Sequence, residues 1–297
     1  MFKNVLHKIK LQNIVGKYII ANVAVYIIVV LIGVFSVLFN VADLGKTVVG
    51  YLELPSSLSL FVQRPWTIFT YMFLHENVMH ILWNMVALYF FGRIFLDLYS
   101  VRHFVGTYIL GGLFGGLVYM LSFNLFPYFA SYVDNSFLVG ASASVLAIVV
   151  ASAVRNPAYR INLLLFGSVK LSSFALVTVA ISFFMLAGNN AGGNFAHLGG
   201  AAAGWLVAYM LNKGVDITAV VNKPIDWVTM LFGKRKLSRK RKPKFKYTAG
   251  GRSADYEYNA NKKAAAAEID RILEKIKKGG YSSLSEDEKK RLFDASK

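Results

Sequence analysis

The chain has 297 residues, of which 56% are hydrophobic and only 16% charged. Its formal net charge is +17, and it has no cysteine, which excludes thiol nucleophiles, cysteine-based zinc sites and disulfides. Uncharged runs such as Tyr18 to Ala42, Phe104 to Val133 and Asn135 to Val154 are too long for a soluble core, since about 20 apolar residues cross a bilayer. They are also far longer than barrel strands, so the composition predicts an all-α integral membrane protein.

In chain order, six transmembrane helices are expected at roughly 17–39, 75–93, 103–123, 140–154, 170–188 and 194–212. The first apolar run is too long for a signal peptide and has no evident cleavage site, so it is expected to stay as a helix. Segment 40–66 is rich in Leu, Val and Phe and reads as an interfacial first loop. Pro157 ends the fourth helix, and the run that follows it reads as another short interfacial piece. Lys and Arg gather at the N-terminus, at Arg93 and Arg102, at Arg155 and Arg160, and after residue 233. That bias puts both termini in the cytoplasm.

The remaining polar residues in the membrane segments carry the chemical argument. "HENVMH" looks at first like the zinc-protease signature H-E-x-x-H, but His75 and His80 are five apart. That spacing puts them about 140° apart around a helix, so one metal cannot take both. His80 and Asn84 are i and i+4 and share a face. "GASAS" opens the fourth helix, and Ser142 sits where its own N–H has no intrahelical acceptor. Ser144 is about 200° further around and takes no part with it. In "GGNFAHLGGAAAG", residues Ala196, Gly200 and Gly204 form one small face, with His197 at its edge. Each signal alone is weak, because small residues and hydrogen-bonding side chains also serve as helix glue. Together they share one depth, near the non-cytoplasmic starts of the second, fourth and sixth helices. A serine and a histidine there make a nucleophile and a base, with His80, Asn84 and the Ser142 N–H as oxyanion donors. No carboxylate lies at that depth to orient His197, so a dyad is expected.

At this point the sequence resembles the rhomboid family of intramembrane serine proteases. The likeness rests on "HENVMHILWNM", "GASA" and "GNFAHLGGAAAG", with "FGRIF" and "GGLFGG" in the expected places, and covers about residues 15–213. It implies a six-transmembrane-helix rhomboid-like bundle whose catalytic residues are Ser142 and His197, with His80, Asn84 and Ser142 forming the oxyanion site. It gives His75, Gly140, Ala143, Ala196, Gly200 and Gly204 structural places near that site. It implies no cofactor and no metal, transmembrane protein substrates, and a multi-pass position in a bacterial inner membrane. Three departures stand out. Ala143 replaces the family's usual glycine and would narrow the site by a methyl. Leu146 stands where many relatives have an aromatic. Arg64 and Trp66 occur only as "RPW". These motivate the alternative of an inert rhomboid-like protein that binds membrane clients. A transporter with a midplane polar site would need repeat symmetry, which the sequence lacks.

The expected domains are an N-terminal cytoplasmic segment 1–14, the membrane domain 15–213, a basic segment and linker 214–260, and a helical hairpin 261–297. "PIDWVTMLF" reads as an interfacial helix, and the basic run after it suits anionic lipid headgroups rather than nucleic acid. "SEDE" predicts a capping box, Ser285 with Glu288, before a last short helix.

Overall fold

The structure is a computed structural model and describes residues 2–41, 44–163, 167–232, 268, 270–280 and 283–295. The protein is mostly helical and divides into two units, Met1–Lys234 and Arg235–Lys297.

In the first unit, six helices follow in the expected order: α1 (Phe2–Leu38), α5 (Val78–Leu98), α6 (Val101–Leu125), α7 (Ser142–Arg155), α8 (Leu171–Phe184) and α9 (Ala191–Asn212). Three are long and apolar enough to cross a membrane: α1 over Ile14–Leu38, α5 and α6. α7 and α8 are apolar but shorter. α9 has 22 residues, its apolar character diluted by glycines, asparagines and His197. The backbone of α1 is helical from Phe2, ahead of the apolar span that begins at Ile14.

The first loop is built rather than loose. It holds α2 (Leu44–Gly50), β1 (Leu54–Pro55), α3 (Leu58–Gln63), α4 (Thr67–Thr70) and a 3-10 turn, Tyr71–Phe73. Arg64 Nη1 donates to the Gly50 carbonyl at 2.5 Å and covers the Tyr51 ring, and Trp66 Nε1 donates to the Tyr51 carbonyl at 2.8 Å. The "RPW" stretch therefore closes the loop on itself. β1 pairs antiparallel with β2 (Phe137–Leu138), and Ser56 Oγ donates to the Val133 carbonyl at 2.6 Å. The loop thus grips the chain just ahead of α7.

The segment after Pro157, expected as a short interfacial piece, has strand conformation. β3 (Arg160–Leu163) and β4 (Gly167–Lys170) pair as an antiparallel hairpin, closed by Leu171 N–H donating to the Tyr159 carbonyl at 2.7 Å. Its exit is Gly167 at φ +65°, a conformation glycine adopts without strain.

The core centres on α6, α7 and α9, which meet backbone to backbone. A Cβ at Gly200 would overlap the Ala143 carbonyl, and one at Gly204 the Ala147 carbonyl. A Cβ at Gly199 would sit 2.6 Å from the Phe114 carbonyl, and one at Gly115 would sit 2.6 Å from the Ala143 methyl. Only glycine allows helices this close, and tight van der Waals packing is what joins helices where lipid removes the hydrophobic drive. α10 (Ala219–Phe232) docks its polar face at the start of α6, where Asn222 Nδ2 donates to the Arg102 carbonyl at 3.0 Å and Asp226 pairs with Arg102. Val220, Trp227 and Met230 remain exposed on it.

In the second unit, α11 (residues 270–279) and α12 (Glu286–Ala295) flank a turn at Gly280. Ile272 and Leu284 are buried. The expected capping box is formed: Ser285 N–H donates to Glu288 Oε2 at 2.7 Å, and Glu288 N–H donates to Ser285 Oγ at 3.3 Å. Lys275 Nζ also donates to Glu288, and that bond holds the Glu288 carboxyl below the usual carboxylate range. The basic run 234–242 and the linker to residue 260 lie outside the described residues.

Candidate active site

Three helix starts converge on one cavity of about 1010 Å³. Its lining includes His80, Asn84, Ser142 and His197 together with Trp83, Phe123, Tyr128 and Tyr132.

Ser142 is the first residue of α7, and His197 lies in the second turn of α9. The glycine seam between α7 and α9 sets the distance between them. His197 Nε2 lies 2.8 Å from Ser142 Oγ, within hydrogen-bond reach. The other ring nitrogen, Nδ1, lies 3.1 Å from Ser182 Oγ on α8. Ser182 is a residue the sequence reading passed over.

α7 differs from α5, α6 and α9 at its N-terminus. Asn77 caps α5, Ser100 caps α6 and Asn190 caps α9, each accepting from a first-turn N–H. The residue before α7 is Ala141, which has no side chain to cap with. The first N–H groups of α7 are therefore left for something else, at the end of the helix that favours negative charge. The approach to this end is fixed from the first loop: Gly140 N–H donates to the Tyr71 carbonyl at 2.9 Å. Gly140 stands at φ +128°, and a Cβ there would lie 2.8 Å from His80 Nε2. Glycine is needed for the backbone geometry and also lets the His80 ring come up beside Ser142.

His80 is in the first turn of α5, where its N–H is held by the Asn77 side chain at 2.9 Å. Asn84 is buried one turn on, and its Nδ2 donates to the His80 carbonyl at 2.9 Å. An amide nitrogen has two N–H groups, so a second donor remains for a ligand. His75 precedes the helix, is buried, and sets its ring edge-on to His80 at 5.1 Å.

Ala143 behaves differently from expectation. Its methyl points into the α6 seam at Gly115, and Ala143 is not among the residues lining the cavity. Ala196 is buried beside the same seam, its carbonyl 2.9 Å from where a Gly115 Cβ would stand. Leu146 is buried in the core. Ser144 faces α6 and Met72, away from Ser142. Among the described residues no cluster of three or more His, Asp or Glu side chains is placed to hold a metal ion.

The fold is thus a glycine-packed bundle of apolar helices in which a serine and a histidine meet near two helix starts. Residues 62–214 match the family model described as the Rhomboid domain, and the chain belongs to the rhomboid family, a family of intramembrane proteases. Residues 252–297 match a second model, described as a family of unknown function, DUF6576. No curated protein matches the chain closely enough to count as a relative.

Proposed function

We propose that the chain is an intramembrane serine endopeptidase acting through a Ser142–His197 dyad on the transmembrane segments of other proteins. The observation that carries this is the 2.8 Å contact between Ser142 Oγ and His197 Nε2 at the floor of the cavity.

In the proposed reaction, His197 Nε2 takes the Ser142 proton as Oγ attacks the substrate carbonyl carbon. The carbonyl oxygen becomes an oxyanion and accepts from the Ser142 N–H, the second Asn84 N–H and His80. Preformed donors aimed at a developing charge, in a site of low dielectric, give the largest single share of such a rate enhancement. The imidazolium returns its proton to the departing amine, leaving an acyl-serine. Water then attacks the acyl carbon as it gives a proton to Nε2, and Nε2 passes that proton to Oγ as the acyl–oxygen bond breaks, releasing the new carboxylic acid, which ionises, and free Ser142.

The short α7 supports a buried position for this chemistry. Fourteen residues span about 21 Å, roughly 9 Å less than the hydrocarbon layer. With Arg155 at one surface, Ser142 lies below the other, and the cavity is the water path. Arg102, Arg155 and Lys213 stand at helix ends away from Ser142, and Arg93 lies in the last two turns of α5, a distribution that supports an opening to the non-cytoplasmic side. In a bacterial inner membrane both termini are then cytoplasmic. A substrate helix reaches the site sideways, between α5 and α8. These two helices touch through the stacked rings of Phe91 and Phe174, well away from Ser142. The substrate must unwind at the site, since a carbonyl bonded within a helix is shielded from attack.

The test is cleavage of a model transmembrane substrate in proteoliposomes by the wild type, Ser142→Ala and His197→Ala. The expected result is loss of at least about 10³-fold in each variant, with fluorophosphonate labelling at Ser142 in the wild type alone. Equal cleavage by all three, or none by any, overturns the reading and leaves a client-binding protein.

A further inference from the structure

α8 is largely exposed to its surroundings. Of its fourteen residues only Leu171, Ala175 and Ser182 are buried, while Leu176, Val177, Ile181, Phe183 and Phe184 are exposed. The buried stripe includes a hydroxyl where a methyl would pack as well. Ser182 Oγ has two partners: the Thr178 carbonyl at 3.1 Å and His197 Nδ1 at 3.1 Å. Serine bonding back to the carbonyl four residues earlier is common in apolar helices and by itself means nothing. Thr178 does the same to the Phe174 carbonyl at 2.9 Å. Ser182 differs in having an imidazole on its other side.

A hydroxyl has one proton. A carbonyl can only accept, so the Thr178 contact takes that proton, and the Ser182 oxygen faces His197 with lone pairs. His197 Nδ1 must then be the N–H, which leaves Nε2 bare to accept from Ser142. The opposite arrangement would put the proton on Nε2 and leave Ser142 without a base. We infer that Ser182 is the positioning residue of the proposed dyad, holding His197 in the proton-accepting tautomer through the chain Thr178 carbonyl, Ser182 hydroxyl, His197 ring. The inference rests on the protease reading above. In soluble serine proteases a carboxylate does this task. Inside a bilayer a buried carboxylate is costly, and a hydroxyl tied to its own helix fixes the tautomer without a charge. A consequence is that the orientation of the base depends on α8 staying in place, although the dyad itself lies on α7 and α9.

The experiment compares the wild type, Ser182→Ala, Ser182→Thr and Ser142→Ala in proteoliposomes. Steady-state cleavage is read alongside nitrogen-15 spectra of histidine-labelled protein, with the His197 signal assigned by its loss in His197→Ala. Ser182→Ala is expected to lower kcat about tenfold, the effect of one modest hydrogen bond, with KM within twofold and an unchanged unfolding midpoint. Its His197 spectrum should change from the Nδ1–H pattern to a mixture, and Ser182→Thr should restore both. A wild-type kcat in Ser182→Ala overturns the inference, as does a fall in kcat with the Nδ1–H pattern intact. If Ser142→Ala still cleaves, the protease reading itself falls. If Ser142→Ala is silent and Ser182→Ala is normal, only the role of Ser182 falls.

Discussion

α8 and α9 both lie against α7, but they are held in different ways. α9 meets α7 through Gly200 and Gly204, with no room for a single added carbon. α8 meets the bundle along a narrow stripe and turns most of its large side chains outward. A backbone-to-backbone seam has one fitted arrangement, whereas a stripe of side chains can shift and repack. The reactive distance, Ser142 to His197, lies across the rigid seam. The contact that orients the ring, Ser182 to His197, lies across the loose one. Under the proposed function, a protein that holds a 2.8 Å contact and also admits a helix-sized substrate gains from separating these two demands.

The comparison breaks most sharply at Gly200. Gly200→Val puts a branched side chain into the Ala143 carbonyl, and the two helices must part. Overpacking without room to relax costs about 3 kcal/mol or more at such a site. The expected outcome is a large fall in the unfolding midpoint in detergent, with no fluorophosphonate labelling at Ser142. A variant as stable and reactive as the wild type would mean that the seam does not set the site. Asn84→Ala acts on the rigid half without touching the seam. It removes one proposed oxyanion donor, and about a 10²-fold loss in kcat is expected, with KM and unfolding midpoint close to wild type. If stability falls instead and kcat holds, Asn84 serves only the His80 carbonyl.

The proposed site residues were legible in the sequence for a simple reason. His80, Asn84, Ser142 and His197 are polar groups near helix starts within apolar runs, and helical spacing alone assigns their faces. The capping box at Ser285 was legible because it is local, made within four residues. Ser182 was not. It is one serine among several in an apolar run, and its partner is fifteen residues away on another helix. The one available hint was its i+4 spacing from Thr178, another hydroxyl on the same helix face. The hairpin β3–β4 was hidden for a related reason: "RINLLLF" has the apolar content of an interfacial run, and its strand pairing depends on a glycine turn and on the Tyr159 carbonyl meeting Leu171. The first loop's grip on residues 133–138 is likewise a pairing of segments about 80 residues apart, which no local pattern announces.

Ala143 gives the smallest effect and the finest test of the comparison. Sequence alone set its methyl beside the oxyanion, because it follows the nucleophile directly. In the structure the methyl belongs to the seam, fitted against Gly115 of α6. Ala143→Gly therefore removes packing from the rigid half and nothing from the cavity. It also adds backbone freedom in the first turn of α7. The expected result is a loss of about 1–2 kcal/mol in stability, with kcat and KM within twofold of wild type. A tenfold rise in kcat would instead mean that the methyl reaches the reacting carbonyl, and that the α6–α7 seam and the oxyanion site are not separate after all.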